Sequence, residues 1–195
     1  MIVTLVNLKS EIEVQVNGII YKKFSKRLFE KYFKEGKKFE SEDQLDSWLV
    51  EIESKVAQKQ AYFLLSYKSY PSHSLLEKLV DVGIRKEIAQ RQIDECIKLG
   101  YVNDSAFIEH LIKKEKMRGY GSRYIKSRLI GKKFSRQIIE IMLEKTISQE
   151  EERSSIKSIC NKLKNKKTER QIYQHLLRKG FDPQLIQENI NWQEI

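Results

Sequence analysis

Apolar residues return along most of this chain with a period of three to four, and only near its N-terminus with a period of two. Ile12, Val14 and Val16 alternate with Glu11, Glu13 and Gln15, and Asn17-Gly18 then leads into Ile19-Ile20-Tyr21. Alternating β-branched residues broken by Asn-Gly predict a hairpin with a two-residue turn. Ile2 to Asn7 is a candidate third strand. A lone hairpin is marginal in water, so helices are expected behind it. Ser25 is placed to cap a short helix carrying Leu28, Phe29, Tyr32 and Phe33, with Gly36 as its stop. Ser41-Glu42-Asp43-Gln44 has capping-box form and opens a helix whose stripe is Leu45, Trp48, Leu49, Ile52 and Val56, extending to about Tyr67.

Beyond that point the pattern is helical throughout, and it repeats. Leu75, Leu79, Gly83-Ile84, Ile88 and Ile93 form the first series. Ile125, Leu129, Lys133-Phe134, Ile138 and Leu143 form the second. Ile172, Leu176, Gly180-Phe181, Leu185 and Ile190 form the third, with steps of 50 and 47 residues between the series. Each series reads as a short helix, a turn and a second helix, preceded by one more helix. The unit is therefore three helices, present three times. Ser74-x-x-Glu77, Ser148-x-x-Glu151 and Thr168-x-x-Gln171 are capping boxes. Asp104 is placed to cap the helix that follows it. Asp182-Pro183 pairs an N-cap with proline at the first helical position. Gly83, Gly100 and Gly180 fall where helices stop in the left-handed conformation. Lys133 stands where the other two series have glycine, so that turn either closes differently or closes on Gly131.

A period near 50 residues is in the range of helical solenoids, and a three-helix unit buries little apolar area by itself. The fold expected is mainly α: tandem three-helix repeats in an elongated, curved array, with a small N-terminal β-hairpin and helix region. The divisions expected are residues 1–57, 58–103, 104–147 and 148–195.

Charge changes the picture most. The chain carries a formal net charge of +10, and between Lys113 and Arg136 ten Lys or Arg face one acid, Glu115, a local surplus of nine. Lys113, Lys114, Lys116, Arg118, Arg123, Lys126, Arg128, Lys132, Lys133 and Arg136 make up that tract, with Tyr120 in its central turn. One acid among ten cations leaves almost no i,i+4 pairing within the tract, and like charges at that spacing repel. A phosphate-bearing or acidic partner is the expected counterpart. Arg128 is suited to a bidentate grip on phosphate, and Tyr120 either stacks on a base or packs in the turn. A second cluster, Lys157, Lys162, Lys164, Lys166, Lys167 and Arg170, is opposed by Glu169 alone and extended by Arg178 and Lys179.

Other classes find little support. No apolar run approaches the roughly 20 residues that cross a bilayer. Met1 to Leu5 is too short for a signal peptide. Cys96 and Cys160 are far apart with no Cys or His at metal spacing, which favours a reducing compartment and the cytoplasm. His73, His110 and His175 are scattered, and Gly119-x-Gly121 lacks the preceding strand of a phosphate-cradling loop. Neither catalysis nor a cofactor is expected. A peptide-binding scaffold would need a surplus apolar stripe, and none is present.

Gly100-Tyr101-Val102-Asn103-Asp104-Ser105-Ala106-Phe107 resembles a signature of the RecX proteins, bacterial regulators of the RecA recombinase, with Val102 in place of the usual leucine. Gly119-Tyr120-Gly121 with Ile125 and Leu129 is similar to that family's second-repeat element. Ser72 through Leu75, Leu76 and Leu79 to Gly83-Ile84 is similar to its first. The likeness covers residues 60–190 in order, with the last repeat matched only by apolar spacing and Lys179-Gly180-Phe181. It implies a non-enzymatic monomer that binds the RecA filament on single-stranded DNA, contacts phosphate with little sequence preference, and modulates strand exchange and coprotease activity. A basic helical-repeat protein that binds nucleic acid with no recombinase partner is the alternative.

Overall fold

The computed structural model describes residues 1–33 and 38–190. Gly36, the expected helix stop, lies outside them. Among the described residues the chain is mainly helical, with one three-stranded antiparallel sheet, and divides into a unit of residues 1–103 and a unit of residues 104–195.

In the first unit the sheet runs β1 (Val3–Asn7), β2 (Glu11–Val16) and β3 (Ile19–Ser25), in that spatial order. Asn17 (φ +50°) and Gly18 (φ +82°) are both left-handed, the two-residue turn that matches strand twist. Tyr21 is the extra residue of a bulge in β3, since Val14 pairs with Lys22 and Gln15 with Ile20. Ile12, Val14 and Val16 are buried as the alternation predicts, and Glu13 is buried as well because β2 is the central strand. Lys23 neutralises Glu13 across the strand pair at 2.9 Å.

The helix after the sheet is short. Helix α1 (Lys26–Phe29) passes into a 3-10 turn at Glu30–Tyr32, and Ser25 precedes it without making a side-chain cap. Aromatic rings then seal the sheet to the long helix α2 (Glu42–Tyr67). Phe24 meets Phe29 at 4.6 Å between centroids, Phe24 meets Phe33 at 5.2 Å, and Phe33 meets Trp48 at 5.5 Å. Ser41 caps α2, while the Gln44 side chain turns to the Glu40 N–H instead of closing a reciprocal box. The helix crosses residues 57 and 58 unbroken, so the N-terminal region and the first repeat share it. Helices α3 (Ser72–Val80) and α4 (Lys86–Lys98) complete one apolar core with the sheet and α2.

Two cap assignments are corrected. Helix α3 begins directly after Pro71, whose extended backbone sets its start, so Ser74 lies inside the helix and forms no capping box. Helix α5 (Asp104–Met117) begins at Asp104 itself, one residue later than a cap would stand.

The second unit contains α5, α6 (Ser122–Gly131) and α7 (Arg136–Thr146) around one core. Its other three helices, α8 (Gln149–Leu163), α9 (Glu169–Arg178) and α10 (Pro183–Asn189), surround another. Ser148 and Thr168 form complete capping boxes, and Asp182 accepts from the Gln184 N–H at 2.9 Å with Pro183 at the first turn. The turn between the second and third helix of each repeat closes identically. Ile84, Phe134 and Phe181 each donate N–H to the carbonyl five residues back, while Gly83, Lys133 and Gly180 take φ of +99°, +62° and +78°. Lys133 thus adopts the glycine conformation itself; Gly131 is an ordinary helical residue.

The apolar register needs one shift. Ile125, Leu129, Ile172, Leu176 and Ile190 are buried as expected, but in the last helix of the second and third repeats Ile139 and Ile186 turn inward in place of their neighbours Ile138 and Leu185. Ile138 is 45% exposed. Ser135 caps α7 on the Ile138 N–H, which fixes where the helix begins and turns Ile139 and Met142 to the core.

Candidate nucleic-acid interface

The basic tract lies on α5, α6 and the turns that follow them, and ends on the first residue of α7, Arg136. Its central turn is held by backbone bonds: Gly119 N–H to Lys116 C=O at 2.8 Å and Tyr120 N–H to Glu115 C=O at 3.1 Å. The start of α6 has no cap of its own. Glu152 of α8, only 8% exposed, accepts from both the N–H and the hydroxyl of Ser122 at 2.9 Å. Gly121 N–H donates to Lys179 C=O at 2.9 Å and Arg123 N–H to Gly180 C=O at 3.0 Å, so the second and third repeats join through main chain.

Acids from outside the tract, together with the buried one inside it, neutralise at least half of its cations. Glu115 is 1% exposed and takes Arg128 Nη1 at 2.6 Å and Arg118 Nη1 at 3.3 Å. Lys126 pairs with Glu140 at 2.8 Å, Lys116 with Glu151 at 3.0 Å, and Lys113 with Glu109. The absence of local partners inferred from the window 113–136 is thereby corrected, because helix packing brings carboxylates from α7 and α8 and from one turn earlier in α5. Lys132 lies over the Phe107 ring at 5.5 Å. Lys133 is exposed at its left-handed turn. Lys114, Arg123 and Arg136 have no ion-pair partner among the described residues.

Tyr120 packs. Its ring stacks on Tyr124 at 4.0 Å and 14°, and the Lys179 ammonium lies 4.0 Å from its centroid. The structure therefore engages Tyr120, Arg118, Arg128 and Lys179 within the protein.

The second cluster differs. Lys157, Lys162, Lys164, Lys166, Lys167, Arg170 and Arg178 are exposed on α8, α9 and the turn between them, with no ion-pair partner among the described residues. Their field registers on His175, which is held below its ordinary value first by burial and then by Lys167, Lys179 and Arg178. Uncompensated charge is thus concentrated here. Nearby in the same unit, Arg123, Lys126, Ser127 and Ile130 of α6 face Asp182, Pro183 and Gln184 across an open concavity of about 690 Å³.

Buried acids are the residues that sequence reasoning missed. Glu53, fully buried on α2, accepts from Lys22 at 2.8 Å, from Arg85 Nε at 3.1 Å and from the Arg85 N–H at 2.7 Å. Asp46 adds Arg85 at 2.7 Å and the Tyr21 hydroxyl at 3.1 Å. The Arg85 guanidinium, more than the Tyr21 hydroxyl, holds the Asp46 carboxyl below its ordinary value. A signal existed: Glu53, Glu115 and Glu152 each occupy a stripe position, three or four residues from Leu49, Leu111 and Ile156, where a carboxylate stays only if cations or N–H groups meet it.

Cys96 is buried and Cys160 half-buried, both as free thiols, and burial raises the Cys160 thiol. Among the described residues no cluster of His, Cys, Asp or Glu is arranged to hold a metal, and no helix is long and apolar enough to cross a membrane.

No family model matches the chain. A regulatory protein RecX of Caldanaerobacter subterraneus subsp. tengcongensis is 30% identical over 158 residues, 80% of this chain and 80% of that protein. Among solved structures, a crystal structure of regulatory protein RecX superposes over 96% of both chains with a TM-score of 0.63 at 16% identity. The crystal structure of RecX from Lactobacillus salivarius covers 70% of this chain and 94% of its own, with a TM-score of 0.61 at 22% identity. At those identities the two structural likenesses speak for the fold.

Proposed function

The chain belongs to the RecX family of regulatory proteins, and from that premise we propose that it regulates a RecA recombinase by binding its filament on single-stranded DNA. The observation that carries the reading is the uncompensated cluster on α8, α9 and the turn between them, with Lys162, Lys164, Lys166, Lys167, Arg170 and Arg178 exposed and unpaired among the described residues. Cations without internal partners keep their full field for phosphate and for acidic protein surfaces. Arg123, Lys114 and Arg136 add to this surface, and Lys132 and Lys133, each engaged within the protein, join by giving up those contacts. Lys113, Lys116 and Lys126 join after exchanging exposed carboxylates for phosphate. Tyr120, Arg118, Arg128 and Lys179 hold the repeats in place beneath it.

The mechanism is steric and electrostatic. Bridging neighbouring recombinase protomers, or capping the growing end, inhibits strand exchange and coprotease activity in DNA repair and the SOS response. The protein acts as a monomer in the cytoplasm, without a cofactor and without catalysis of its own.

The test is RecA-dependent ATP hydrolysis on single-stranded DNA with this protein titrated in. The expected result is inhibition at stoichiometric levels. An unchanged rate, combined with tight DNA binding whose log–log salt slope is about −0.7 per phosphate, overturns the recombinase reading and leaves a stand-alone nucleic-acid binder.

A further inference from the structure

A second concavity lies in the first unit, remote in sequence from both basic clusters. Helix α1 and the 3-10 turn after it supply Arg27, Lys31 and Tyr32 to one wall; Lys59, Gln60 and Phe63, one face of α2, form the other. Its volume is about 240 Å³.

Three features of this concavity are left unsatisfied by the protein itself. First, among the described residues three cations line it and no carboxylate does. The Lys31 and Lys59 ammoniums both sit over the Tyr32 ring, 5.1 and 5.9 Å from its centroid, and like charges drawn to one ring repel until an anion enters. Second, the Tyr32 Oη is buried without a partner, and the Gln60 amide, on a residue only 8% exposed, keeps some contact with solvent and makes no hydrogen bond among the described residues. Buried polar groups left unpaired cost free energy unless a ligand satisfies them. Third, Phe63 borders the concavity and, beyond its edge-to-face contact with Tyr67 at 4.9 Å, keeps 48% of its surface exposed to a planar group.

From these we infer that the first unit binds a single nucleotide, with its phosphate on Arg27, Lys31 and Lys59, its base against Phe63 and its polar edge on the Gln60 amide. Inorganic phosphate would use the cations and leave Gln60 and Phe63 idle. At about 240 Å³ the concavity takes no more than one nucleotide, since small-molecule sites begin at roughly 300 Å³. The nucleotide comes either free from solution or as the phosphorylated end of a strand, and the chemistry of recognition is the same.

The experiment is calorimetric titration of the full chain with deoxyadenosine monophosphate, beside inorganic phosphate and short oligonucleotides with and without a 5′-phosphate. One-to-one binding is expected, at least ten-fold tighter than phosphate. Lys31→Ala with Lys59→Ala should lower that affinity at least ten-fold. Gln60→Leu should weaken the nucleotide and leave phosphate unchanged, with no fall in Tm because the amide has no internal partner. Displacement of the nucleotide by the 5′-phosphorylated strand alone identifies a strand end as its source, and no displacement identifies the free nucleotide; both outcomes support the site. Absence of heat at millimolar nucleotide, or equal affinity in the lysine variants, overturns it. No recombinase is present in this titration, so its failure is separate from any failure of the filament reading.

Discussion

Gly121 and Gly180 meet backbone to backbone: a Cβ on Gly121 would lie 2.5 Å from the Gly180 carbonyl oxygen, and one on Gly180 would run into the main chain of Tyr124. Two small residues 59 positions apart let the second and third repeats share main-chain hydrogen bonds. Gly180 also sits at φ +78°, where a Cβ is strained in any case. Gly180→Ala should therefore destabilise the second unit by about 2–4 kcal/mol in urea denaturation. Gly100→Ala, equally left-handed at +75° but facing open space, should cost only about 1 kcal/mol. Equal losses would show that the close approach contributes nothing.

Lys133 tests the same turn without the clash. It holds φ +62° in the position that glycine fills in the first and third repeats. Lys133→Gly removes the side-chain strain and raises stability by up to about 1 kcal/mol, less the entropy that glycine adds to the unfolded chain. A fall in the denaturation midpoint would mean that the lysine side chain stabilises its turn by more than the strain costs.

The register of the third helix in the second repeat is equally open to measurement. Leu129 and Ile139 are fully buried, so Leu129→Ala and Ile139→Ala should each cost about 2–5 kcal/mol. Ile138→Ala, next in sequence but 45% exposed, should stay within about 0.5 kcal/mol beyond its small propensity change. Melting curves that rank Ile138 above Ile139 would refute the packing described.

Arg128 and Arg123 part company when either is removed. Arg128 holds the buried Glu115 carboxylate at 2.6 Å, so Arg128→Ala leaves that charge with Arg118 alone. With the Arg128 side chain 39% exposed, the loss is discounted to about 1–3 kcal/mol. Replacing Arg123, Lys126 and Arg128 together therefore mixes unfolding with binding. The cleaner set is Arg123→Ala, Lys164→Ala, Lys167→Ala and Arg170→Ala. These should leave Tm unchanged, and every phosphate that is no longer neutralised should reduce the magnitude of the salt slope by about 0.7. Undiminished DNA and filament binding in that set would move the interface elsewhere.

His175 reports on the second cluster through pH. Burial, then Lys167, Lys179 and Arg178, hold its pKa below the ordinary value. The folded state then binds fewer protons than the unfolded one, so this contribution to stability is complete above about pH 6.5 and is lost as pH falls through the folded pKa. His175→Gln should flatten that part of the stability profile. Phosphate bound on the cluster offsets the cations, so a saturating oligonucleotide should raise the His175 pKa in an imidazole proton titration. An unmoved pKa with DNA bound would place the strand away from Lys167 and Arg178.

What the sequence by itself determined is everything written in near-neighbour chemistry. Asn17-Gly18 dictates its turn because both residues tolerate positive φ; Ser148 with Glu151 and Thr168 with Gln171 close boxes within one helical turn; Leu75, Ile125 and Ile172 recur because each repeat has one apolar face to bury. The family likeness was legible for the same reason, since its motifs are the turns and stripes of those repeats. Even the left-handed Lys133 was marked by its place in the series, though not how it would close. What only the tertiary structure decided is which charges remain after folding. Glu140, Glu151 and Glu152 lie 14 to 35 residues from the groups they meet, and no count over a window can see them. Coulomb energy and hydrogen bonding depend on distance through space, so packing, and not composition, turned Arg118, Arg128 and Tyr120 into supports and left the lysines of α8 and of the turn after it exposed.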